Sequence, residues 1–582
     1  MSYRRKKLLA LFFAMALSMT AVAGCTGAKS STGNVVSLET ETNAEETSAQ
    51  SEAGTFSSAD MFTERDLAGT YEESRAVYVT LSDDGIAGET DGVVIDGQMV
   101  TITAEGTYIF SRTLSEGQIV VDADNAKVQI VFDNVDITCA SSAAVYVKSA
   151  EKVFVTLAEG SQNTLRNTDE YVAIDDNNID AVIFAKSDLT LNGTGSLTII
   201  SAEGHGIVSK DDLKIIGGTY DITAAGHALS GKDSVRIADG TFILTAEKDG
   251  IHAENADDEE KGYIYIADGD FTITSDGDGM DASNIVQIED GTLDITAGGG
   301  AANSLKTHES DVPGGPGGGM PQNGEKPDGE SMPQDTTTDE SGTSTKGIKA
   351  GGGMYLNGGT YQIDSADDSI HSNANITIAD GTYTLATGDD GVHADDALTV
   401  NGGTITVTES YEGLEGLAVT INDGTIDITA RDDGINAAGE KMELNGGYIH
   451  ILAGGDGVDS NGDLTINGGE IYIDGPSDNG NSAIDYGDRS SAYVNGGTLV
   501  AIGSSGMAEG MSDSSKQKVL MVKLGEQMEA GDVVLTDSEG NVIVSYTALK
   551  SYDCVIISTA EVESGATYTL TTSGTTTEVT AE

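Results

Sequence analysis

The chain has 582 residues, 75 of them glycine and none tryptophan, with a formal net charge of −65. That charge excludes nucleic acid and an anionic membrane surface as direct partners, because polyanions are gripped by basic patches. Divalent cations, or ligands reached through them, suit it better.

Arg4, Arg5, Lys6 and Lys7 precede an apolar run from Leu8 to Ala23, the pattern of a secretory signal over residues 1–24. The run closes on Val22-Ala23-Gly24-Cys25, which resembles the lipobox of bacterial lipoproteins. The resemblance implies cleavage before Cys25, lipid attachment to its sulfur, and a cell-surface protein whose only membrane contact is that anchor. Losing four positive charges takes the formal charge from −65 to −69. Residues 25–76, rich in Ser, Thr, Gly, Ala and Glu, read as a flexible tether. Cys139 and Cys554 lie too far apart in sequence to suggest a framework or a metal motif and are expected to be buried or incidental.

From residue 77 to 514 the sequence repeats. A small residue before an apolar one recurs at Gly206, Ala228, Gly250, Gly279, Gly347, Ser369, Gly391, Gly413, Gly434 and Gly457. Most steps are 21–23 residues, one is 29 and one is 68. Each unit holds three short runs of alternating apolar residues, for example Val392, then Leu398/Val400; elsewhere Tyr383/Leu385 fills the third run. Period two marks strands with one buried face. Three strands per ~22 residues, none able to bury its face alone, predict an all-β, right-handed, single-stranded parallel β-helix. About fourteen coils at roughly 4.8 Å each make a rod near 65 Å. Residues 77–115 are expected to cap its start, and residues 515–582, with a different texture, to form a small C-terminal β module. Residues 306–346 hold five of the six prolines and read as a disordered insertion leaving the rod at the corner before the first strand.

Two further corner features follow from the register. Asn357, Asn401, Asn445, Asn467 and Asn495 occupy equivalent places and are expected to stack as an amide ladder. At the other corner, "GDDGVHADDALTVNGGT" from Gly388 is one of several copies in which acids precede the Gly. Stacking places Asp249, Asp278, Asp368, Asp390, Glu412, Asp433 and Asp456 in one column. His252, Asp281, Lys349, His371, His393, Glu415, Asn436, Asp459 and Asp485 form a second, three positions on. Acids about 5 Å apart repel by roughly 1 kcal/mol in water and more in a drier setting. The column therefore needs cations, raised pKa values or full solvation, unless each Asp serves as a corner former capping the backbone. Carboxylates beside Gly-rich corners are the hard ligands Ca²⁺ prefers. Its candidate ligands are Asp249, Asp278, Asp281, Asp368, Asp390, Asp433, Asp456 and Asp459. Zn²⁺ lacks a tight ligand set.

Five of seven histidines (His205, His227, His252, His371 and His393) fall in these columns, either as sugar-facing groups or as planar side chains that tolerate stacking. His371, His393, Tyr411, Glu415 and Asn436 are the candidates for holding carbohydrate, with Tyr265 and Tyr355 expected on the outward side of the second strand. Catalytic signals are sparse. Arg431 and Lys349 are the candidate bases of a lyase, without a basic set to grip a polyuronate, and the paired carboxylates are too numerous to pick out an acid and a base.

The segments "GHGIVSKDDLKIIGGTYDITAAG", "EKGYIYIADGDFTITSDGDGMDA", "SYEGLEGLAVTINDGTIDITARDDGINAAG" and "NGNSAIDYG" give the chain, over roughly residues 77–575, a resemblance to a secreted bacterial family. Its members are carbohydrate-binding domain-containing proteins with a pectate-lyase-like β-helix. The resemblance implies binding of cellulose and of acidic polysaccharides such as polygalacturonate, bound Ca²⁺, and no established lyase activity. A Ca²⁺-dependent polysaccharide lyase and a structural surface adhesin stand as alternatives; a monomer is expected.

Overall fold

The structure, a computed structural model, describes residues 55–88, 91–258, 260–306, 344–487 and 489–581. The signal sequence, Cys25 and the first part of the expected tether lie outside the described residues.

The repeat folds as a parallel β-helix. Each strand pairs in parallel with the equivalent strand of the next coil. Ile207, Leu229, Ile251, Met280, Ile348, Ile370, Val392, Leu414, Ile435, Val458 and Ile484 are thus one another's register partners along the first strand. The third strand alternates strictly, as in Thr219–Ala224 and Thr425–Ala430, where every second side chain is buried. Aromatic rings stack within this core: Tyr220 on Phe242 at 5.2 Å, Phe242 on Phe271 at 4.7 Å, Tyr361 on Tyr383 at 4.5 Å. Leu398, Ile428 and Ile451 are fully buried, and truncating such a side chain to Ala costs about 2–5 kcal/mol.

Glycine is required where the second strand turns into the third. Gly381 has φ 120° and Gly403 φ 88°, a region closed to most L-residues. At Gly391 the constraint is proximity, since a Cβ would lie 2.5 Å from the Gly413 carbonyl of the next coil. The asparagine ladder forms beside these turns: Asn422, Asn445, Asn467 and Asn495 each donate Nδ2–H to the Oδ1 of the preceding asparagine, beginning at Asn401, over 2.7–2.9 Å. Asn357 instead donates to Glu289 at 2.8 Å.

The rod begins with Val77–Leu81, which pairs in parallel with Gly106–Leu114, and with an antiparallel hairpin of Val93–Asp96 and Met99–Ile102. At the other end, Tyr552–Ser558 pairs antiparallel with Thr498–Gly503 of the last coil and with Leu520–Met528. A separate antiparallel sheet of Gly531–Thr536, Val542–Ala548, Thr567–Thr572 and Thr575–Thr580 shares a core with this extension. Cys139 and Cys554 are free and buried.

Three expectations need correction. Residues 55–76 are not tether but structured: Ser58–Met61 and Glu64–Ala68 are helical, and Thr63 and Asp66 form a reciprocal capping box. The insertion is narrower than 306–346, since Lys306 and Lys346 are fixed on the rod; residues 307–343 lie outside the described residues. Tyr265 and Tyr355 point outward in register but are not exposed. Tyr265 is buried beneath residues 55–76, and Tyr355 lies down over Gly353.

Candidate functional site

The corner leading into the first strand carries three columns of side chains. Backbone hydrogen bonds from coil to coil place Asp367, Asp389, Tyr411, Asp432 and Gly455 in the innermost column. The middle column reads Asp249, Asp278, Lys346, Asp368, Asp390, Glu412, Asp433, Asp456. The outer column runs His252, Asp281, Lys349, His371, His393, Glu415, Asn436, Asp459, Asp485.

Much of the middle column is structural. The amide N–H of Asp278 donates to Asp249 Oδ1 at 2.9 Å, that of Lys346 to Asp278 at 2.7 Å, and that of Asp390 to Asp368 at 3.2 Å. Glu412, Asp456 and Ser482 donate in the same way to Asp390, Asp433 and Asp456, at 3.1, 2.6 and 2.5 Å. Histidine substitutes lower down, where the Asp249 amide donates to His227 Nδ1 at 3.2 Å. The corner turns these N–H groups away from the strand ladder, and a short acceptor side chain satisfies each one. One carboxylate oxygen per Asp is therefore committed to the backbone, and the second faces the outer column.

Between Asp249 and His393 the chain meets those second oxygens with its own cations and imidazoles. Asp249 lies 3.0 Å from both His227 and His252. Burial alone would raise its pKa, but it lies well below the usual carboxylate range. His227 is the neutral ring, whose Nδ1 accepts from the Asp249 amide; the cationic one is His252, which Asp249 and Asp281 push up to about 10 against its burial. Lys349 bridges Asp278 and Asp281 at 3.4 Å each. Lys346 reaches Asp367 at 2.8 Å and Asp368 at 2.6 Å, while Lys306 reaches Asp367 at 3.1 Å and Asp389 at 2.7 Å. The two lysines enter from opposite ends of the insertion. His371 Nδ1 is 2.8 Å from Asp368, and its Nε2 is 3.0 Å from Asn373 Oδ1. His393 lies 3.4 Å from Asp390 and 3.6 Å from Glu415.

From Glu412 to Asp485 the pattern changes. Among the described residues no lysine, arginine or histidine pairs with Asp433, Asp456, Asp459 or Asp485. Oxygens of Asp433, Asp456 and Asp459 converge to within 4.8 Å of one another. Burial, reinforced by neighbouring acids, pushes Asp433 up to about 8, Asp456 to about 7 and Asp459 to about 6. Burial and Glu415 push Glu412 well above the carboxylate range. Gly455 makes room for this crowding, since a Cβ there would lie 2.2 Å from Asp432 Oδ1 and 2.5 Å from Asp433 Oδ1. Asn436 donates to Glu412 at 2.9 Å and to Glu415 at 3.4 Å, and its Oδ1 is buried without a hydrogen-bond partner. Converging carboxylates, an unpaired amide oxygen and no competing cation fit a hard divalent ion such as Ca²⁺. An all-oxygen set without histidine or cysteine suits Zn²⁺ less well, since zinc sites are built mainly on His nitrogen and Cys sulfur.

The eight acids expected to ligate metal thus divide. Asp249, Asp278, Asp281 and Asp368 face lysine or histidine, although Asp249 with His227 and His252, and Asp368 with His371 and His393, also converge to within 4.8 Å. Asp390 faces His393 across 3.4 Å. Asp433, Asp456 and Asp459 converge without such a partner among the described residues. Among the carbohydrate candidates, His371 and Asn436 are each only 9% exposed, leaving little ring or amide surface for a sugar. His393 and Glu415 are half-buried, and Tyr411 is half-buried with its hydroxyl donating to Asp432. Lys306 and Asp432 escape the sequence reading altogether. Lys346 was available to it, because it precedes Gly347 at the same repeat position as the acids.

A family model for carbohydrate-binding domain-containing proteins matches residues 96–391 and 389–568. A carbohydrate-binding domain-containing protein of Acetivibrio thermocellus is 40% identical over 139 residues, 23% of this chain and 49% of the relative. The chain therefore spans about half that relative's length. A solved structure, described as a gadolinium derivative of the polysaccharide lyase-like protein from C. thermocellum, is 36% identical; the match covers 38% of this chain and 92% of that one, with a TM-score of 0.38. With most of the β-helix and part of its C-terminal cap matched, the chain belongs to the family of carbohydrate-binding domain-containing proteins.

Proposed function

We propose that this protein binds polysaccharide at the bacterial cell surface, anchored through lipid on Cys25, and that Ca²⁺ on the corner around Asp433, Asp456 and Asp459 takes part in the binding. The observation that carries the reading is the cluster of Asp433, Asp456 and Asp459, unmatched by lysine, arginine or histidine among the described residues, on a chain of formal charge −65. Such a surface repels an acidic glycan unless a cation bridges the two. A bound Ca²⁺ shared with a sugar carboxylate supplies that bridge, which favours pectin-like acidic chains; cellulose, being neutral, would use hydroxyl contacts instead.

Two sets of contacts count against the candidate bases of the lyase alternative. Lys349 is held cationic by Asp278 and Asp281, which outweigh its burial. Arg431 donates to the Gly388 carbonyl at 3.0 Å and lies over the Tyr411 ring. A pull-down on polygalacturonate and on cellulose, with Ca²⁺ and with EGTA, tests the proposal. Retention on polygalacturonate that survives chelation unchanged sinks the bridging role, and release of unsaturated uronate products returns the lyase reading.

A further inference from the structure

One outward strip of the rod differs from the rest. Along the second strand the successive register partners are Phe154, Thr190, Lys214, Arg236, Tyr265 and Gln287. Farther along, the same column is threonine at 377, 399 and 420. Cationic, aromatic and amide groups spaced by about 4.8 Å are thus gathered in one place, with Asp212 beside them, 2.9 Å from Arg236 and 3.5 Å from Lys214.

Residues 55–76 lie across this strip as a strap. Asp66 is fully buried in it, 2.5 Å from Lys152 and 3.9 Å from Lys214, and it accepts from the Thr190 hydroxyl at 3.0 Å. Phe56 packs on Tyr263 with centroids 4.3 Å apart. The Gln287 amide accepts from the Phe56 N–H at 2.6 Å and donates to its carbonyl at 3.0 Å. Arg236 donates to the Met61 carbonyl at 3.3 Å. Clefts of 1010 and 710 Å³ flank residues 68–71 at the Phe154 end of the strip, where Phe154 lines the smaller one.

We infer that the strap is a built-in occupant of a second saccharide site, in which Asp66 holds the place of a carboxylate on an acidic polysaccharide. With the strap displaced, Lys152 and Lys214 grip a sugar carboxylate, and the Tyr263 face takes a pyranose ring where Phe56 now lies. The clefts beside residues 68–71 leave room at that end for a chain wider than one peptide strand. This site shares its ligand class with the function proposed above but needs no metal, so chelation separates the two. The strap is covalently joined to the rod at residue 77 and competes at high effective concentration; a polymeric ligand has the multivalency to displace it.

The test uses the full chain carrying Asp66→Asn, and a second variant with Phe56→Ala, Met61→Ala and Asp66→Asn together. Trypsin cleavage at Arg65 and Arg75 reports strap release, and polygalacturonate binding in EGTA at low salt reports the site. The expected result is faster cleavage together with binding at least about tenfold tighter than wild type, because the competent fraction rises. Adding Lys152→Gln and Lys214→Gln to the released variant should abolish the gain. Faster cleavage without tighter polygalacturonate binding overturns the inference. So does unchanged cleavage in both variants, or a released groove that rebinds a peptide of residues 55–72 and ignores polygalacturonate.

Discussion

The coils from Asp249 to His393 and those from Glu412 to Asp485 use the same corner, the same register and the same backbone-capping aspartates, yet they handle charge in opposite ways. In the first region lysines and histidines sit within 2.6–3.4 Å of the acids. In the second, acids face acids, and burial raises their pKa values. The difference teaches that a repeated acidic motif does not by itself define a metal site. Every coil needs an acceptor for the turned-out amide, and only the balance of cations around the second carboxylate oxygen separates a structural corner from one with affinity to spare.

The largest effect should come from turning the first region into the second. Lys306→Met with Lys346→Met leaves Asp367 and Asp389 buried without their lysines and Asp368 with His371 and His393 alone. Breaking a buried pair costs about 3–5 kcal/mol. Urea unfolding should show that loss, with partial recovery in millimolar Ca²⁺; a loss that Ca²⁺ never relieves would mean that these acids cannot form a cation site even when freed. Next, Asp456→Asn with Asp459→Asn keeps the amide cap at Ser482 while removing two negative ligands. Calorimetric Ca²⁺ titration should then weaken about 100-fold, or roughly 2.8 kcal/mol, whereas Asp281→Asn should leave it unchanged.

Protonation gives a smaller, graded effect. Asp433 has a folded pKa of about 8 against an ordinary 3.8, so between those values the folded chain keeps a proton that the unfolded chain releases. Stability without metal should therefore fall as pH rises through that window, with Asp456 and Asp459 adding to the fall up to about 7 and 6. Ca²⁺ binding should strengthen over the same range, because the ligands must be deprotonated. Thermal melts from pH 5 to 8.5, with and without Ca²⁺, check both signs; parallel curves would contradict them. Smallest is Asn445→Ala in the amide ladder, expected to cost about 0.5–1.5 kcal/mol with no change in Ca²⁺ affinity. It serves as the control for general damage to the rod.

The fold was legible because stacking is one-dimensional: a near-constant step fixes which residues are neighbours, and the columns follow. The cation balance was less legible. Lys346 stood in plain register before Gly347, but Lys306 reaches the same acids from the far side of a long insertion, and no periodicity predicts where an insertion returns. The strap was hidden by composition, since a Ser-, Thr- and Glu-rich segment reads as solvated. Phe56, Met61 and Phe62 beside the Thr63-x-x-Asp66 capping box were the local signs of order. Tyr265 shows the consequence: a residue on the outward face of a strand is exposed only if no other segment lies over it.

The central claim is that the two regions differ in cation affinity. Anomalous diffraction from crystals of the full chain soaked in Ca²⁺, or in a lanthanide of similar radius, tests it most directly. The account predicts an ion among Asp433, Asp456 and Asp459 and none among Asp367, Asp368 and Asp389. Ions confined to the lysine-matched coils, or no ion between Glu412 and Asp485, would contradict it.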